Sequence, residues 1–231
     1  MQEWGFGSLL SRGTGIICLF DGPPGTGKTL TAEVLARTLD LELHRINVGQ
    51  IVDKYVGETE KNLVRLFEQI IPERTLLLFD EADSLFGSRV KVNTSSDRYA
   101  NMAVNTLLQL IERYPGVVIL TTNLKERIDS AFMRRITYKV VFEEPDEEMR
   151  LALWTNHLPG EAPLADDVDL PALAKSFKLS GGNIKNATLR AALAAAESGL
   201  ITQQILYEQA CLEAEATGML VQRSRDQWPL D

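Results

Sequence analysis

Residues Gly22-Pro23-Pro24-Gly25-Thr26-Gly27-Lys28-Thr29 satisfy the pattern G-x-x-x-x-G-K-[ST] without a mismatch, and no other feature restricts the fold of this chain so narrowly. The pattern carries chemistry only between a strand and a helix. Both are in place: Ile16-Ile17-Cys18-Leu19-Phe20 has the composition of a buried strand, and Leu30-Thr31-Ala32-Glu33-Val34-Leu35-Ala36 that of a helix. In that setting the glycines let backbone N–H groups turn toward phosphate oxygens, and the helix start adds its positive dipole end. Lys28 is placed for the β/γ oxygens of a nucleoside triphosphate and the Thr29 hydroxyl for Mg²⁺.

Alternation of strand and helix patterns continues to Phe142 and predicts a five-stranded parallel sheet covered by helices on both faces. Strands are expected at Ile16–Phe20, Leu43–Val48, Thr75–Asp80, Val117–Thr121 and Tyr138–Phe142. Covering helices are expected over Glu58–Ile71, where Leu63, Leu66, Phe67 and Ile70 recur at helical spacing, and over Asp97–Tyr114. Pro145 ends this region. Beyond it the pattern is helical over Asp146–His157, Leu170–Phe177, Ile184–Glu197 and Gln203–Gly218, which predicts an all-α subdomain. The expected division is 1–144 for the α/β subdomain, 145–221 for the helical one and 222–231 for a polar tail.

Composition narrows the partners. The 231 residues hold 24 Lys and Arg against 32 Asp and Glu, a formal net charge of −8, so no global field draws the chain to nucleic acid or an anionic membrane. Its two cysteines, Cys18 and Cys211, stand far apart without a C-x-x-C or a histidine cluster, as expected of reduced thiols in a cytoplasmic protein. No apolar run approaches the roughly 20 residues that span a bilayer, and Met1-Gln2-Glu3-Trp4 lacks the pattern of a secretion signal, so no membrane insertion is expected.

Leu76-Leu77-Leu78-Phe79 leads into Asp80-Glu81-Ala82-Asp83, an apolar strand whose carboxylates fall at the edge where open parallel sheets bind ligands. Asp80 is placed for the Mg²⁺ shell, usually through water. Glu81, expected to face the other way, is placed to polarise an attacking water. The alternative is an acidic helix start, and Asp83 is assigned that capping role with no chemistry.

With these residues in view, the chain resembles an AAA+ ATPase module of the protein-remodelling branch, with Gly22–Thr29 as Walker A and Asp80-Glu81 as Walker B. The resemblance covers nearly the whole sequence and implies a P-loop fold with a C-terminal helical lid, ATP/ADP and Mg²⁺ as cofactors, and ATP hydrolysis. It makes Pro24, Gly25, Thr26, Gly27, Lys28, Thr29 and Leu30 nucleotide contacts. Asn123, after Val117-Val118-Ile119-Leu120-Thr121-Thr122, stands where the family has a water-orienting sensor, although an Asn can also simply start a turn. Arg134-Arg135 resembles the arginine-finger segment that enters a neighbouring subunit's site, here adjacent rather than separated, which leaves open which one is the finger. Ser180-Gly181-Gly182-Asn183-Ile184-Lys185 resembles the sensor 2 region, with Lys185 where many members carry Arg and with Gly182 close to the base. The glycines are otherwise a loop before a helix cap. His157 is similar to a family histidine beside the ribose; a helix C-cap partner is the other possibility.

Lys54-Tyr55-Val56-Gly57 is similar to the aromatic pore loop with which AAA+ remodellers grip polypeptide, though a tyrosine at such a place can also pack under a turn. The resemblance therefore implies a homo-hexamer acting on protein substrates, with Asp97-Arg98-Tyr99-Ala100-Asn101 and Arg134-Arg135-Ile136 similar to bacterial members encoded with phage-tail-like contractile injection systems. A nucleotide-gated assembly scaffold and a DNA-handling motor are the alternatives. Glu81 and the arginine pair disfavour the first; the acidic balance and Tyr55 disfavour the second. Because only Met1–Thr14 precede the first strand, a substrate-recruiting domain is expected upstream of this sequence.

Overall fold

The computed structural model describes residues 15–47, 59–83, 95–123 and 130–218. By contact the chain divides into two units, Met1–Pro23 with Lys28–Phe142 and Pro24–Gly27 with Glu143–Asp231. In the first, strands β1 (Ile16–Asp21), β2 (Glu42–Asn47), β3 (Thr75–Asp80), β4 (Val117–Thr122) and β5 (Tyr138–Val141) form one sheet in the order β2-β3-β4-β1-β5. Every pairing is parallel. Helices α1 (Lys28–Thr38), α2 (Thr59–Gln69), α3 (Ser95–Arg113) and the single turn α4 (Ser130–Met133) lie between the strands in sequence.

Period-two alternation sorts the strand side chains onto two faces. Ile17, Leu19, Leu77, Phe79, Val118 and Leu120 pack with Leu63 of α2, Leu107 and Ile111 of α3 and Phe132 of α4. Phe20, Leu76, Leu78 and Ile119 pack on the opposite face against Ala32 and Ala36 of α1, whose small side chains let that helix approach closely. The run Leu76–Phe79 in β3 is completely buried, which is why it is apolar without alternation. Burying one such side chain contributes about 1.5–3 kcal/mol, so the strand is fixed before its acidic end is considered.

Strand ends matter here because they carry the polar residues. β1 and β4 each run one residue beyond the sequence expectation, and the register pairs Asp21 with Thr122, so the ladder persists up to the glycine loop. β2 starts one residue earlier than expected because Glu42 pairs with Thr75.

The helical unit contains α5 (Glu147–His157), α6 (Leu170–Ser176), α7 (Gly181–Ala194) and α8 (Gln203–Ala216). Each starts at a side-chain cap: Asp146, Asp169, Ser180 and Thr202 accept the N–H groups of Met149, Ala172, Asn183 and Ile205. Trp154, Leu173, Phe177, Ile184 and Leu206 form its core. Helix α7 differs from expectation. Gly181 and Gly182 are its first turn, not a loop ahead of the cap, because Ser180 supplies the capping oxygen before them. Arg150, 7% exposed, donates from Nε to Ala174 O at 2.7 Å and from its guanidinium to Pro145 O at 2.7 Å, tying the start of α5 to α6. No helix among the described residues is long and apolar enough to cross a membrane.

Candidate nucleotide-phosphate site

The loop from Gly22 to Gly27 leaves β1 and enters α1 at Lys28. Gly25 (φ +77°) and Gly27 (φ +97°) adopt backbone conformations that strain any side-chain-bearing residue, which explains their place in the pattern. Lys28 is 8% exposed. Its ammonium donates to Gly22 O and Pro23 O, each at 2.7 Å, and to Asn123 Oδ1 at 2.8 Å. Burial lowers the pKa of Lys28, while the carboxylates of Asp80, Asp83 and Asp21 favour its charge.

Thr29 is the next residue of α1, and its hydroxyl donates to both Asp80 oxygens at 3.2 Å. Asp80 also accepts from Thr121 Oγ1 at 2.6 Å and pairs with the guanidinium of Arg45. Burial works to raise the Asp80 pKa, but the hydrogen bonds from Thr121, Arg45 and Thr29 and the Arg45 charge outweigh it, and the carboxyl is held below its ordinary value. Glu81 does not simply continue the alternation of β3, as the sequence suggested. The strand stops at Asp80, and Glu81 sits in the left-handed region at φ +54° with its side chain exposed. That conformation costs a non-glycine residue of order 1–3 kcal/mol. Thr121 holds it: its Oγ1 accepts the Glu81 N–H at 3.0 Å and its carbonyl accepts the Ala82 N–H at 2.8 Å. One threonine thereby positions both acidic residues.

Asp83, expected to start a helix, also reaches the end of β4. Its Oδ1 accepts from the Thr122 hydroxyl and, at 3.1 Å, from the Asn123 N–H. The carboxylate assigned to helix capping fixes the end of β4 and hence the amide that accepts from Lys28. Sequence reasoning missed Thr121 and saw in Asp83 only a helix cap, because strand Thr and capping Asp are common in such places. Asp83→Ala is expected to lower kcat for ATP about tenfold, the equivalent of one hydrogen bond to a charged group, whereas Asp83→Asn keeps an acceptor and most of the rate. Steady-state turnover beside nucleotide affinity checks this, since a KM increase without a kcat loss would contradict it.

The remaining residues separate into groups. Arg134 and Arg135 follow α4 and are exposed; Arg135 Nε pairs with Glu112 at 3.1 Å, and no ion pair of Arg134 occurs among the described residues. Pro24 and Leu30 are exposed, Thr26 partly so. Gly182 donates its N–H to Gly25 O at 2.9 Å, and Ser180 Oγ stands where a Gly25 Cβ would come within 2.4 Å. His157 and Lys185 line one cleft of about 600 Å³ in the helical unit, with Pro159, Ala162 and Leu189. Burial and the Lys185 charge hold the His157 imidazole below its ordinary pKa. Lys54, Tyr55 and Val56 lie outside the described residues.

Within the α/β unit, then, a buried ammonium, a hydroxyl beside a carboxylate, an exposed glutamate and an anchored asparagine converge at the carboxyl ends of β1, β3 and β4. This donor set fits a magnesium nucleotide: Mg²⁺ takes hard oxygen ligands from a hydroxyl, one carboxylate, phosphates and water, and the ammonium matches phosphate. Fold and site define an α/β protein of the P-loop NTPase class.

The comparisons narrow the class. Residues 18–144 match the family described as "ATPase family associated with various cellular activities (AAA)", and residues 146–218 match the "Contractile injection system ATPase helical domain". The chain belongs to the AAA family of ATPases. It is 36% identical over 177 residues to a Cell division cycle protein 48 homolog of Archaeoglobus fulgidus, covering 73% of this chain and 24% of that one. To the Proteasome-activating nucleotidase of Methanopyrus kandleri it is 34% identical over 175 residues, 72% of this chain and 40% of the relative. The ATP-dependent zinc metalloprotease FtsH 3 of Sphaerobacter thermophilus is 35% identical over 211 residues, 87% and 42% of the two chains. The chain thus spans less than half the length of these relatives.

Proposed function

We propose that this chain binds Mg²⁺ and ATP at the carboxyl edge of β1, β3 and β4, hydrolyses the ATP, and works in the cytoplasm as one subunit of a homo-hexameric ring that remodels, unfolds or disassembles proteins. The observation that carries this reading is the joint placement of two hydrogen-bonded pairs, Lys28 with Asn123 at 2.8 Å and Thr29 with Asp80 at 3.2 Å, beside the strained, exposed Glu81. The bound magnesium nucleotide supplies the transferable phosphoryl group and a metal charge that polarises it. Lys28 neutralises phosphate charge from a partly water-free position. Glu81 takes a proton from water onto a carboxylate oxygen. Asn123, pinned through Asp83, fixes that water's orientation with its amide. Arg134 serves as the main finger toward a neighbouring subunit, since Arg135 is engaged with Glu112 of its own chain.

Three features support action on protein: relatives whose names carry proteasome activation or proteolysis, the acidic balance of the chain, and Tyr55 in the position of an aromatic paddle. The match of 146–218 directs the substrate search to components of a contractile injection system. The test compares ATP turnover with an unfolded polypeptide, with DNA and with neither. Polypeptide alone is expected to stimulate. Tyr55→Ala should bring the stimulated rate down to the unstimulated one and Tyr55→Phe should keep most of the stimulation, because the grip needs apolar area and not the hydroxyl. Stimulation by DNA would transfer the reading to a nucleic-acid motor, and full stimulation of Tyr55→Ala would remove the paddle.

A further inference from the structure

Resting on the assignment of Asp80 to the metal, we propose that Arg45 is a displaceable counter-cation of that carboxylate, one that raises the Mg²⁺ concentration needed to complete the nucleotide site. Arg45 lies on β2 opposite Leu78 of β3. Alternation places Leu43 and Arg45 on the sheet face that also carries Leu76, Leu78 and Asp80. Leu43, Leu76 and Leu78 indeed pack together with Ala32 and Ala36 of α1. From this diagonal position the Arg45 guanidinium reaches past Leu78 and pairs with Asp80 Oδ2.

That oxygen is also 3.2 Å from the Thr29 hydroxyl, the other metal donor of the reading above. A guanidinium and a divalent cation therefore contend for one carboxylate oxygen. Two positive groups on it repel each other, so metal entry requires Arg45 to leave or to shift. The exposures make that exchange feasible. The Arg45 side chain is 58% exposed and returns to water at little cost, whereas the Asp80 side chain is 14% exposed and stays in place. Arg45 adds a positive charge to a carboxylate that Thr29 and Thr121 already hydrogen-bond, in surroundings of Lys28 that Asp83 and Asp21 share. No motif marks this residue; it acquires its partner only through the register of β2 on β3.

The test titrates Mg²⁺ into the full chain with a fluorescent methylanthraniloyl-ADP and reads the half-saturating Mg²⁺ concentration from the nucleotide signal, independent of turnover. An ion pair with one exposed partner is weak, so Arg45→Met is expected to lower that concentration about two- to fivefold, and Arg45→Lys, which keeps the charge, to stay near the wild-type value. The gap should close at high ionic strength, where the pair is screened. An unchanged or raised Mg²⁺ requirement in Arg45→Met would overturn the proposal. So would an equal loss of ADP affinity in EDTA, which would make Arg45 a phosphate ligand. If the wild-type chain shows no Mg²⁺-dependent ADP binding, the nucleotide reading itself falls, a result distinct from both.

Discussion

Glu81→Gln is expected to bind ATP with roughly wild-type affinity and to lose its turnover by about two to four orders of magnitude, the range that positioned general bases contribute. The amide keeps the size of the side chain and both its heavy-atom positions but cannot accept a proton from water at neutral pH. The backbone should tolerate the change, since Glu81 is anchored at φ +54° through its N–H on Thr121 and not through its exposed side chain. Phosphate release measured beside equilibrium nucleotide binding separates the two effects. Normal turnover in Glu81→Gln would take the proton-accepting role away from Glu81. Weak binding would mean that the residue belongs to the nucleotide cradle.

The double variant Arg134→Ala/Arg135→Ala should fall by about three orders of magnitude or more in kcat, because a guanidinium that meets developing phosphoryl charge has effects of that size. Its own Lys28 and Asp80 are untouched, so nucleotide binding in the isolated subunit persists. Complementation decides whether the arginines act across an interface. Subunits with the arginine pair replaced and subunits with Lys28→Ala are each inactive alone, yet a mixed ring contains interfaces that unite an intact phosphate loop with an intact finger. Partial recovery on mixing is expected. No recovery in rings shown to be mixed would place the arginines within their own subunit's site. The single substitutions refine this: Arg134→Ala should cause the larger loss, because Arg135 is already paired with Glu112 at 3.1 Å.

The phosphate loop was legible in the sequence because its demands are local: glycines at positive φ, a lysine and a hydroxyl at the start of one helix. Asp80 was legible for a similar reason, as the polar end of an apolar strand that must be buried on both faces. What the sequence concealed depends on which strands become neighbours. β3 and β4 are adjacent although α3 and some forty residues separate Asp80 from Thr121, and the separation alone gives no sign that Thr121 Oγ1 will bond both acidic residues. Arg45 is similar, since only the register of β2 on β3 brings it to Asp80. Asp83 was visible but ambiguous. An aspartate after a strand caps helices so often that its bond to the Asn123 N–H carries no sequence signal of its own. The early start of α7 was hidden by Gly181-Gly182, poor helix formers that Ser180 nevertheless caps.

This edge of the sheet is expected to hold a magnesium nucleotide through Lys28, and a single titration tests it. Fluorescent ADP is titrated with Mg²⁺ into the wild-type chain and into Lys28→Ala, with circular dichroism to confirm that both are folded. Saturable binding by the wild type, weakened about a hundredfold or more in Lys28→Ala, is the predicted result; a charge-assisted contact from so buried a cation justifies a loss of about 3 kcal/mol. Equal affinity in the two folded proteins would show that Lys28 does not hold the phosphates.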